Sequence, residues 1–286
     1  MLKINKMSYT EKETILYLDD VNVGYVDKND HSKVNIILKN VSMIEKDVIR
    51  DGHSATGQCI AILGRSGRGK STFFKTLTGL LKPISGKVLI TDETSNTPNS
   101  AKEVTEGMVG FVDQKYTLFR HKTIYQILQY AMRKLNKNKE EKDSIIDKYL
   151  TDWGLAEHKD KYPCELSGGS RQRVAIVEQI LTSKHFIILD EPTSGLDYCA
   201  KETVKLSINK ILADDELNTI IFSTHDLQFA VEMADSIYIL GHPDGVLNYS
   251  TILKHYDLKQ MGLAWTPYGD EHRQLVESIK IILLNS

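Results

Sequence analysis

Short apolar runs alternate with segments of helical periodicity along most of the chain. This alternation is typical of an α/β protein whose core sheet is largely parallel. The run Phe186–Leu189 is apolar at every position, as expected of a strand that is covered on both faces. The predicted strands are Ile15–Val21, Ile36–Ile44, Gln58–Leu63, Lys87–Ile90, Gly107–Val112, His185–Leu189, Thr219–Ser223 and Ser236–Leu240.

Apolar residues at helical spacing predict seven helices, and the last of them lies in the tail of the chain. Their predicted bounds are Lys70–Leu81, Thr123–Leu135, Lys139–Trp153, Gly169–Ser183, Lys201–Ala213, Leu227–Ala234 and Glu271–Leu284. The tail helix has two interpretations. It packs onto the body of the protein, or it docks a partner.

Two other features of the pattern concern the organisation of the chain. Between Tyr116 and Glu165 the strand signal is absent, which predicts a helical block inserted into the α/β core. The segments Asp27–Lys33 and Asp47–Thr56 are rich in Asp, Lys, His, Ser and Gly and are predicted to be surface loops.

Composition excludes some classes of function. The 286 residues include 36 Lys and Arg against 38 Asp and Glu, so the net charge is −2 and no nucleic-acid partner is expected. The cysteines are Cys59, Cys164 and Cys199, and no C-x-x-C pair occurs, which favours reduced thiols in a cytoplasmic protein. Cys59 lies in an apolar run and is expected in the core.

No run of 18 apolar residues occurs, and the N-terminal segment lacks the apolar region of a secretory signal. If the protein works at a membrane, we therefore expect another chain to provide the spanning part.

A phosphate-binding loop is the first candidate for chemistry. Residues 64–71 read GRSGRGKS, which fits G-x-x-x-x-G-K-[ST], between a predicted strand and a predicted helix. Glycines let backbone N–H groups surround phosphates, Lys70 adds a positive charge, and the Ser71 hydroxyl suits Mg²⁺. The predicted nucleotide-binding residues here are Gly64, Arg65, Ser66, Gly67, Arg68, Gly69, Lys70, Ser71 and Thr72.

Two carboxylates follow the apolar strand at 186–189. Asp190 lies where α/β sheets place ligands and suits the Mg²⁺ shell. Glu191 points elsewhere because strand side chains alternate, and it is predicted to act as the general base for water attacking the γ-phosphate. These parts fit kinases, GTPases, helicases and many ATPases alike.

A second anion-binding motif narrows the choice. Residues 166–170 read LSGGS and open a helical run, so the chain has two helix N-termini suited to phosphate. One nucleotide does not need both on one chain, whereas two chains packed head to tail would use both. The motif LSGGS resembles the signature of the ATP-binding cassette (ABC) ATPases, the nucleotide-binding subunits of ABC transporters. The order of the motifs along the chain, from Tyr25 to about Leu240, also resembles that family.

The resemblance implies an α/β P-loop NTPase fold with a mostly parallel sheet. An antiparallel β subdomain at the N-terminal side and an inserted helical subdomain that bears LSGGS complete the expected fold. The chain would be a single nucleotide-binding domain. Residues 14–115 and 185–241 would form its ATP-binding core, 116–184 its helical subdomain and 242–286 a C-terminal extension.

The resemblance also implies roles within one chain. Gln114 resembles the Q-loop glutamine and would join Ser71 and Asp190 as an Mg²⁺ ligand. His225 in FSTHD resembles the switch histidine that contacts the γ-phosphate, which makes Lys70, Glu191 and His225 the expected catalytic residues.

Other implied roles concern adenine and a second chain. Ser167, Gly168 and Gly169 resemble the signature residues that touch the partner's γ-phosphate, and Asp197 belongs to a segment, SGLD, that resembles the D-loop. Tyr25 resembles the aromatic residue that stacks on adenine, and a plain tyrosine at a strand edge is the other interpretation.

The loop pattern requires nothing of the side chains of Arg65 and Arg68. They are either solvent-exposed charges or residues of the dimer seam that pair with an acidic group or a phosphate. The pattern predicts that Arg68→Ser leaves ATP binding near wild type.

Taken as a member of this family, the chain is expected to bind and hydrolyse Mg-ATP in a head-to-tail dimer of identical or paralogous cassettes. It would drive transmembrane permease subunits from the inner face of the cell membrane. Sequence runs such as LFRHKTIYQIL resemble importer subunits for polar amino acids and small solutes, with a solute-binding protein as a possible further partner. The alternatives are a soluble ABC ATPase acting on nucleic acid or ribosomes, and a regulatory cassette without catalysis.

Overall fold

The structure is a computed structural model that describes residues 8–27, 30–50, 57–91, 101–183, 185–244 and 246–286. Its larger sheet has six strands in the order β10-β9-β3-β8-β7-β6, and only the edge strand β10 runs antiparallel to its neighbour. These strands are β3 (Gln58–Leu63), β6 (Val109–Val112), β7 (Phe186–Leu189), β8 (Thr219–Ser223), β9 (Ser236–Gly241) and β10 (Thr251–Asp257).

A second, antiparallel sheet has four strands in the order β2-β1-β4-β5. They are β1 (Tyr9–Val26), β2 (Val34–Arg50), β4 (Ser85–Thr91) and β5 (Ala101–Glu103). The apolar face of this sheet packs onto strand β3 and onto the phenylalanines at 73 and 74, in one of the two hydrophobic clusters of the described residues. Burial of that face fixes the antiparallel sheet against the larger one.

The helices of the described residues cover both faces of the larger sheet and form the helical block. They are α1 (Lys70–Leu77), α2 (Ile124–Ala131), α3 (Lys139–Asp152), α4 (Gly168–Thr182), α5 (Tyr198–Asp214), α6 (Leu227–Met233), α7 (Leu258–Met261) and α8 (Asp270–Asn285). Helix α2 begins at a capping box in which Thr123 accepts from the N–H of Gln126, and α3 begins at a similar one formed by Asn138.

The fold predicted from the sequence is confirmed in its main features. The parallel core, the antiparallel sheet and the strand-free helical block between 116 and 165 are all present. Cys59 is fully buried, as predicted. Helix α1 ends at Leu77, four residues earlier than predicted, because Gly79 adopts φ +73° and reverses the chain.

The predicted loop at 47–56 is wrong at its start, because β2 continues through Arg50. Residues 51–56 lie outside the described residues. The alternation of β2 places Glu45 and Asp47 on its inward face, where both are buried close to lysine ammonium groups at 259 and 12 respectively. Acidic residues at inward positions gave the segment the composition of a loop. The other predicted loop is a turn at Asp27 and 30–33, and residues 28–29 are not described.

Strands β5 and β10 and the short helix α7 were not predicted. The stretch 261–272 joins the tail to strand β2. The guanidinium of Arg50 lies 4.1 Å from the ring centroid of Trp265 and its Nη2 lies 3.6 Å from a carboxylate oxygen of the buried Asp235. Asp235 also accepts from the N–H of Cys59 at 2.7 Å.

Helix α8 packs onto the body of the protein, in agreement with the first interpretation of the tail. Leu275, Val276 and Ile279 are buried in the cluster that contains the larger sheet and the helical block. Among the described helices, none is both long enough and apolar enough to cross a bilayer.

The packing of α8 gives a stability prediction. Ile279 is 0% exposed, so Ile279→Ala should lower the free energy of unfolding by about 3 kcal/mol through lost burial and a cavity. Leu284 on the same helix is 75% exposed, and Leu284→Ala should change it by less than about 0.5 kcal/mol. Urea denaturation measures both. Equal effects of the two substitutions would show that α8 does not pack as described.

Candidate active site

The phosphate loop connects the end of β3 to the start of α1. Gly67 and Gly69 have φ values of +80° and +84°, in the left-handed region that favours glycine. A Cβ at Gly69 would lie 2.9 Å from the side chain of Leu38, so this turn is also too close to strand β2 for any side chain. The resulting turn lets α1 begin at Lys70 with its N–H groups towards the loop.

Lys70 lies at the base of the loop and is buried. Its Nζ donates to the main-chain oxygen of Gly64 at 2.6 Å and lies 4.0 Å from Oε1 of Glu191. Burial lowers the pKa of Lys70, and the carboxylates of Glu191 and Asp190 oppose that shift. The ammonium is thus held by loop oxygens at a position from which it can reach a phosphate.

One hydroxyl joins the two acidic residues of the site. Ser223 is the last residue of β8, which pairs with β7, and its Oγ donates to Oδ1 of Asp190 at 2.6 Å. The same Oγ accepts from the N–H of Glu191 at 3.0 Å. Because β7 and β8 are parallel neighbours, their carboxyl ends lie at one edge of the sheet.

The backbone of Glu191 is in the left-handed region, with φ +52°. This conformation is costly for a residue with a Cβ and persists only when the surroundings fix it. Besides the bond to Ser223, two side chains hold the following residue, Pro192. Nε2 of Gln172 donates to the main-chain oxygen of Pro192 at 2.8 Å, and the Tyr116 hydroxyl donates to the same oxygen at 3.3 Å.

The left-handed turn directs the carboxylate of Glu191 towards His225. Nε2 of His225 lies 3.0 Å from Oε1 of Glu191, and the backbone N–H of His225 donates to Oε2 at 3.2 Å. Burial raises the pKa of Glu191, while His225 and Lys70 oppose the rise. A buried carboxylate with this elevated basicity is suited to accept a proton.

These groups surround one cavity of about 410 Å³. The cavity is lined by Ile37, Arg65, Ser66, Gly67, Gly69, Lys70, Ser71, Thr72, Gln114, Asp190, Glu191 and His225. The structure therefore brings most of the phosphate loop, Gln114, both acidic residues and His225 together, while Gly64 and Arg68 of the predicted set do not line this cavity.

The donor atoms in this cavity fit a magnesium ion. Ser71, Gln114 and Asp190 offer hydroxyl, amide and carboxylate oxygens, which are the ligands that Mg²⁺ prefers. Nε2 of Gln114 donates to Oγ of Ser194 at 3.1 Å, which orients the amide.

The signature residues do not line this cavity. Ser167 is the N-cap of α4, where its Oγ accepts from the N–H of Ser170 at 3.2 Å, and Gly168 and Gly169 form the first turn. Gly168 has open space around it, since a Cβ there would meet nothing within 4 Å. Asp197 is exposed and is the N-cap of α5, accepting from the N–H of Ala200 at 2.8 Å.

Tyr25 lies on β1 beside the start of α1 and also does not line the cavity. Its side chain is partly exposed, and its hydroxyl lies 3.4 Å from Oγ1 of Thr72. This places the ring next to the loop, which is compatible with both interpretations of Tyr25.

The arginines of the loop both contact the C-terminal end of helix α8, which the sequence did not predict. Nη2 of Arg68 donates to the main-chain oxygen of Ser286 at 2.9 Å, and Nη1 of Arg65 donates to it at 3.4 Å. Arg65 is exposed, in agreement with the interpretation as a surface charge, whereas Arg68 is half-buried.

Sequence reasoning missed several supporting residues. Ser223 lies two residues before His225 in FSTHD, and Gln172 lies in the helix that LSGGS opens, so both were near recognised motifs. Their roles depend on which elements become neighbours in space, and the spacing of residues in the sequence does not reveal those neighbours. Ile37 lines the cavity from β2 and has no sequence signal at all.

Comparison with known proteins identifies the family. Residues 51–194, half of the chain, match the model of the ABC transporter family. The chain belongs to the family of ABC transporter ATPases. The matched range contains the phosphate loop, Gln114, LSGGS and both acidic residues.

Two curated relatives are import and transport subunits by name. The sulfate/thiosulfate import ATP-binding protein CysA of Synechococcus elongatus is 34% identical over 187 residues, which are 65% of this chain and 53% of CysA. The arginine transport ATP-binding protein ArtM of Bacillus subtilis is 35% identical over 209 residues, which are 71% of this chain and 81% of ArtM. The chain thus spans about half the length of the sulfate relatives.

The fold of this ABC ATPase agrees with that of solved structures. The structure of cbiO1 from Clostridium perfringens, described as part of the transporter complex cbiONQ, superposes with a TM-score of 0.68 at 23% identity. The match covers 96% of this chain and 97% of cbiO1, so it includes the C-terminal segments as well as the ATP-binding core.

The bridging hydroxyl gives a prediction for catalysis. Ser223→Ala removes hydrogen bonds to a carboxylate and to the N–H that fixes Glu191, so kcat for ATP hydrolysis should fall about tenfold. Ser207→Ala is the matched control, because Ser207 is also buried but its Oγ donates to a helix carbonyl at residue 203. Steady-state hydrolysis at saturating Mg-ATP measures both. A similar loss in the two variants would contradict a specific role for Ser223.

Proposed function

We propose that this chain is the ATP-hydrolysing subunit of an ABC importer, and that it works as a head-to-tail dimer which sandwiches two Mg-ATP molecules and drives membrane permease subunits. One observation carries the proposal. Lys70, Asp190, Glu191 and His225 line one cavity, while the second phosphate-binding helix N-terminus, at Ser167, lies outside it.

Binding of ATP would use the loop and α1. Backbone N–H groups of 67–71 and the N-terminus of α1 attract the phosphates, and Lys70 exchanges the neutral oxygen of Gly64 for a charged phosphate oxygen. When bound, Mg²⁺ would be held by Ser71, Gln114 and Asp190 and would neutralise phosphate charge. Tyr25 is proposed to stack on the adenine.

Hydrolysis would use Glu191 and His225. Glu191 accepts a proton from water as the water oxygen bonds to the γ-phosphorus, and the bond from that phosphorus to the bridging oxygen of ADP breaks. His225 lies 3.0 Å from the Glu191 carboxylate and is proposed to orient it and to contact the γ-phosphate. The products are ADP and inorganic phosphate.

The dimer explains the residues that the cavity leaves out. Ser167, Gly168 and Gly169 would cover the γ-phosphate bound to the partner cassette, and the open space around Gly168 permits a close approach of phosphate. Asp197 lies in an exposed segment that would cross the interface. A site with one open side is completed by the second chain, so ATP itself would stabilise the dimer.

The transport role is supported by the relatives. CysA and ArtM are named as import and transport ATP-binding proteins, and cbiO1 is part of a transporter complex. We propose permease subunits as partners, a position on the inner face of the cell membrane, and a small polar solute as cargo, delivered by a solute-binding protein.

The sandwich is tested by a trapped state. Glu191→Gln keeps the shape of the side chain but removes the base, so ATP should bind without being hydrolysed and the chain should elute as a dimer in size-exclusion chromatography with Mg-ATP. Lys70→Ala should remain monomeric, because phosphate binding is lost. A Glu191→Gln variant that binds ATP but stays monomeric would overturn the dimer.

The partner class has its own test. Mg-ATP hydrolysis should rise when a permease complex captured from membranes is added to the wild-type chain. Stimulation by DNA or ribosomes, with none from membrane components, would instead support the soluble ATPase. Absence of hydrolysis in a single-turnover assay would support a regulatory cassette.

A further inference from the structure

We infer that Arg68 is a positioning residue that ties the phosphate loop to the C-terminal end of helix α8, with Arg65 in a minor supporting role. Nη2 of Arg68 donates to the main-chain oxygen of Ser286 at 2.9 Å, and Nη1 of Arg65 reaches the same oxygen at 3.4 Å. Arg65 lines the nucleotide cavity whereas Arg68 does not. Arg68 therefore acts on the nucleotide only through the loop.

The end of α8 is chemically suited to this contact. The last carbonyls of a helix lack partners within the helix and carry partial negative charge, so a guanidinium is a favourable cap. Ser286 directly follows α8, is 8% exposed, and donates from its Oγ to the main-chain oxygen of Leu283 at 3.0 Å. The acceptor is therefore held in place before the arginine reaches it.

A glycine on the neighbouring strand leaves the space that Ser286 occupies. Gly241 ends β9, and a Cβ on it would lie 2.7 Å from the Cβ of Ser286 and 2.7 Å from Leu253. Any larger residue at 241 would displace the end of α8 from this position. Strand β9 pairs with β3, which leads into the phosphate loop, and this pairing brings Ser286 within reach of Arg68.

Helix α8 is itself fixed to the rest of the site. Its buried residues Leu275, Val276 and Ile279 belong to the same cluster as Phe229 and Val231 of α6, against which α8 packs. Helix α6 begins directly after Asp226, the residue that follows His225. Helix α8 thus connects α6, which begins two residues after His225, to the phosphate loop.

The loop has a reason to need such a tie. Gly67 is in the left-handed region and lines the cavity, and a Cβ there would meet nothing within 4 Å, so this side of the loop has no protein neighbour to hold it against the phosphates. An ordered loop loses less conformational entropy when it wraps the phosphates. The tie should therefore strengthen nucleotide binding and leave the chemical step unchanged. It revises the sequence-based expectation that Arg68→Ser is neutral.

The inference rests on the ATP-binding part of the proposed function and is independent of transport. The test measures KM and kcat for Mg-ATP, affinity for a fluorescent ATP analogue, and Tm. Arg68→Ser should raise KM and the analogue Kd about fivefold, in line with loss of one hydrogen bond from a charged donor, with kcat within about twofold of wild type. Arg68→Lys, which keeps the positive charge but not the planar set of guanidinium N–H donors, should recover part of the affinity.

A double-mutant cycle separates the tie from general effects. Deletion of residues 284–286 should weaken binding to the same degree as Arg68→Ser, and the double variant should be no worse than either single one. Arg273→Ser, which removes an exposed arginine on α8, should bind as wild type. If the deletion prevents folding, Gly241→Ala replaces it, because it displaces Ser286 and keeps the chain length.

The outcomes decide the matter. Additive losses in the cycle, wild-type binding by Arg68→Ser, or a fall in kcat without a change in KM would each overturn the tie. Failure of the wild-type chain to bind ATP would instead remove the proposed function. A loss of affinity in Arg68→Ser that Arg68→Lys partly restores, at unchanged Tm, would support the tie between Arg68 and Ser286.

Discussion

The placement of the two acidic residues relative to each other depends on one hydroxyl, that of Ser223, which lies between them. It can reach both because β7 and β8 are paired in parallel, with Leu189 opposite Phe222, so that the residues that follow emerge side by side. The bond to the N–H of Glu191 satisfies a group that the left-handed turn takes out of the sheet pattern. That turn directs the Glu191 carboxylate to His225 and Lys70 instead of continuing the strand. The conformational cost at one residue is thus offset by bonds from three elements, β8, α4 and the segment around Tyr116, and the result is a buried carboxylate opposite the phosphate loop.

The opposite charges of Lys70 and Glu191 in the cavity stabilise each other. Burial lowers the pKa of Lys70 and raises that of Glu191, and each group counters the shift of the other from 4.0 Å away. Lys70 meanwhile bonds to the oxygen of Gly64, a neutral acceptor. A phosphate oxygen with a full charge is a stronger acceptor, so nucleotide can displace the carbonyl without a large movement of the chain. In the proposed mechanism, the buried carboxylate would then lose part of its compensation from Lys70, which would favour its taking a proton from water.

Much of this was visible in the sequence, and the exceptions have physical causes. The phosphate loop, Asp190 and Glu191 were predicted because their chemistry is local to short motifs, whereas Gln114 and His225 were predicted through the resemblance to ABC ATPases. The parallel strands were predicted because they are short, mainly apolar runs. Strand β2 was predicted to end at Ile44 because Glu45 and Asp47 occupy inward positions that an apolar pattern cannot reveal. The partners of Arg68 and Gln172 lie 218 and 20 residues away, and only the folded chain shows which distant carbonyl each one meets.

The residues after β9 add contacts between segments that lie far apart in the sequence. Lys259 lies 3.8 Å from the buried Glu45 of β2, Trp265 stacks on Arg50 at the end of the same strand, and Ser286 accepts from Arg68 of the phosphate loop. Buried charges such as Glu45 and Lys259 contribute little net stability, because desolvation opposes their attraction, but they fix one arrangement of the segments that they join. A tail held at β2, at α6 and at the loop therefore acts as a frame around the nucleotide site. The antiparallel sheet also supplies Ile37 to the cavity, and Tyr25 lies beside it. Displacement of the tail would therefore shift both this sheet and the phosphate loop, which lie on two sides of the proposed nucleotide site.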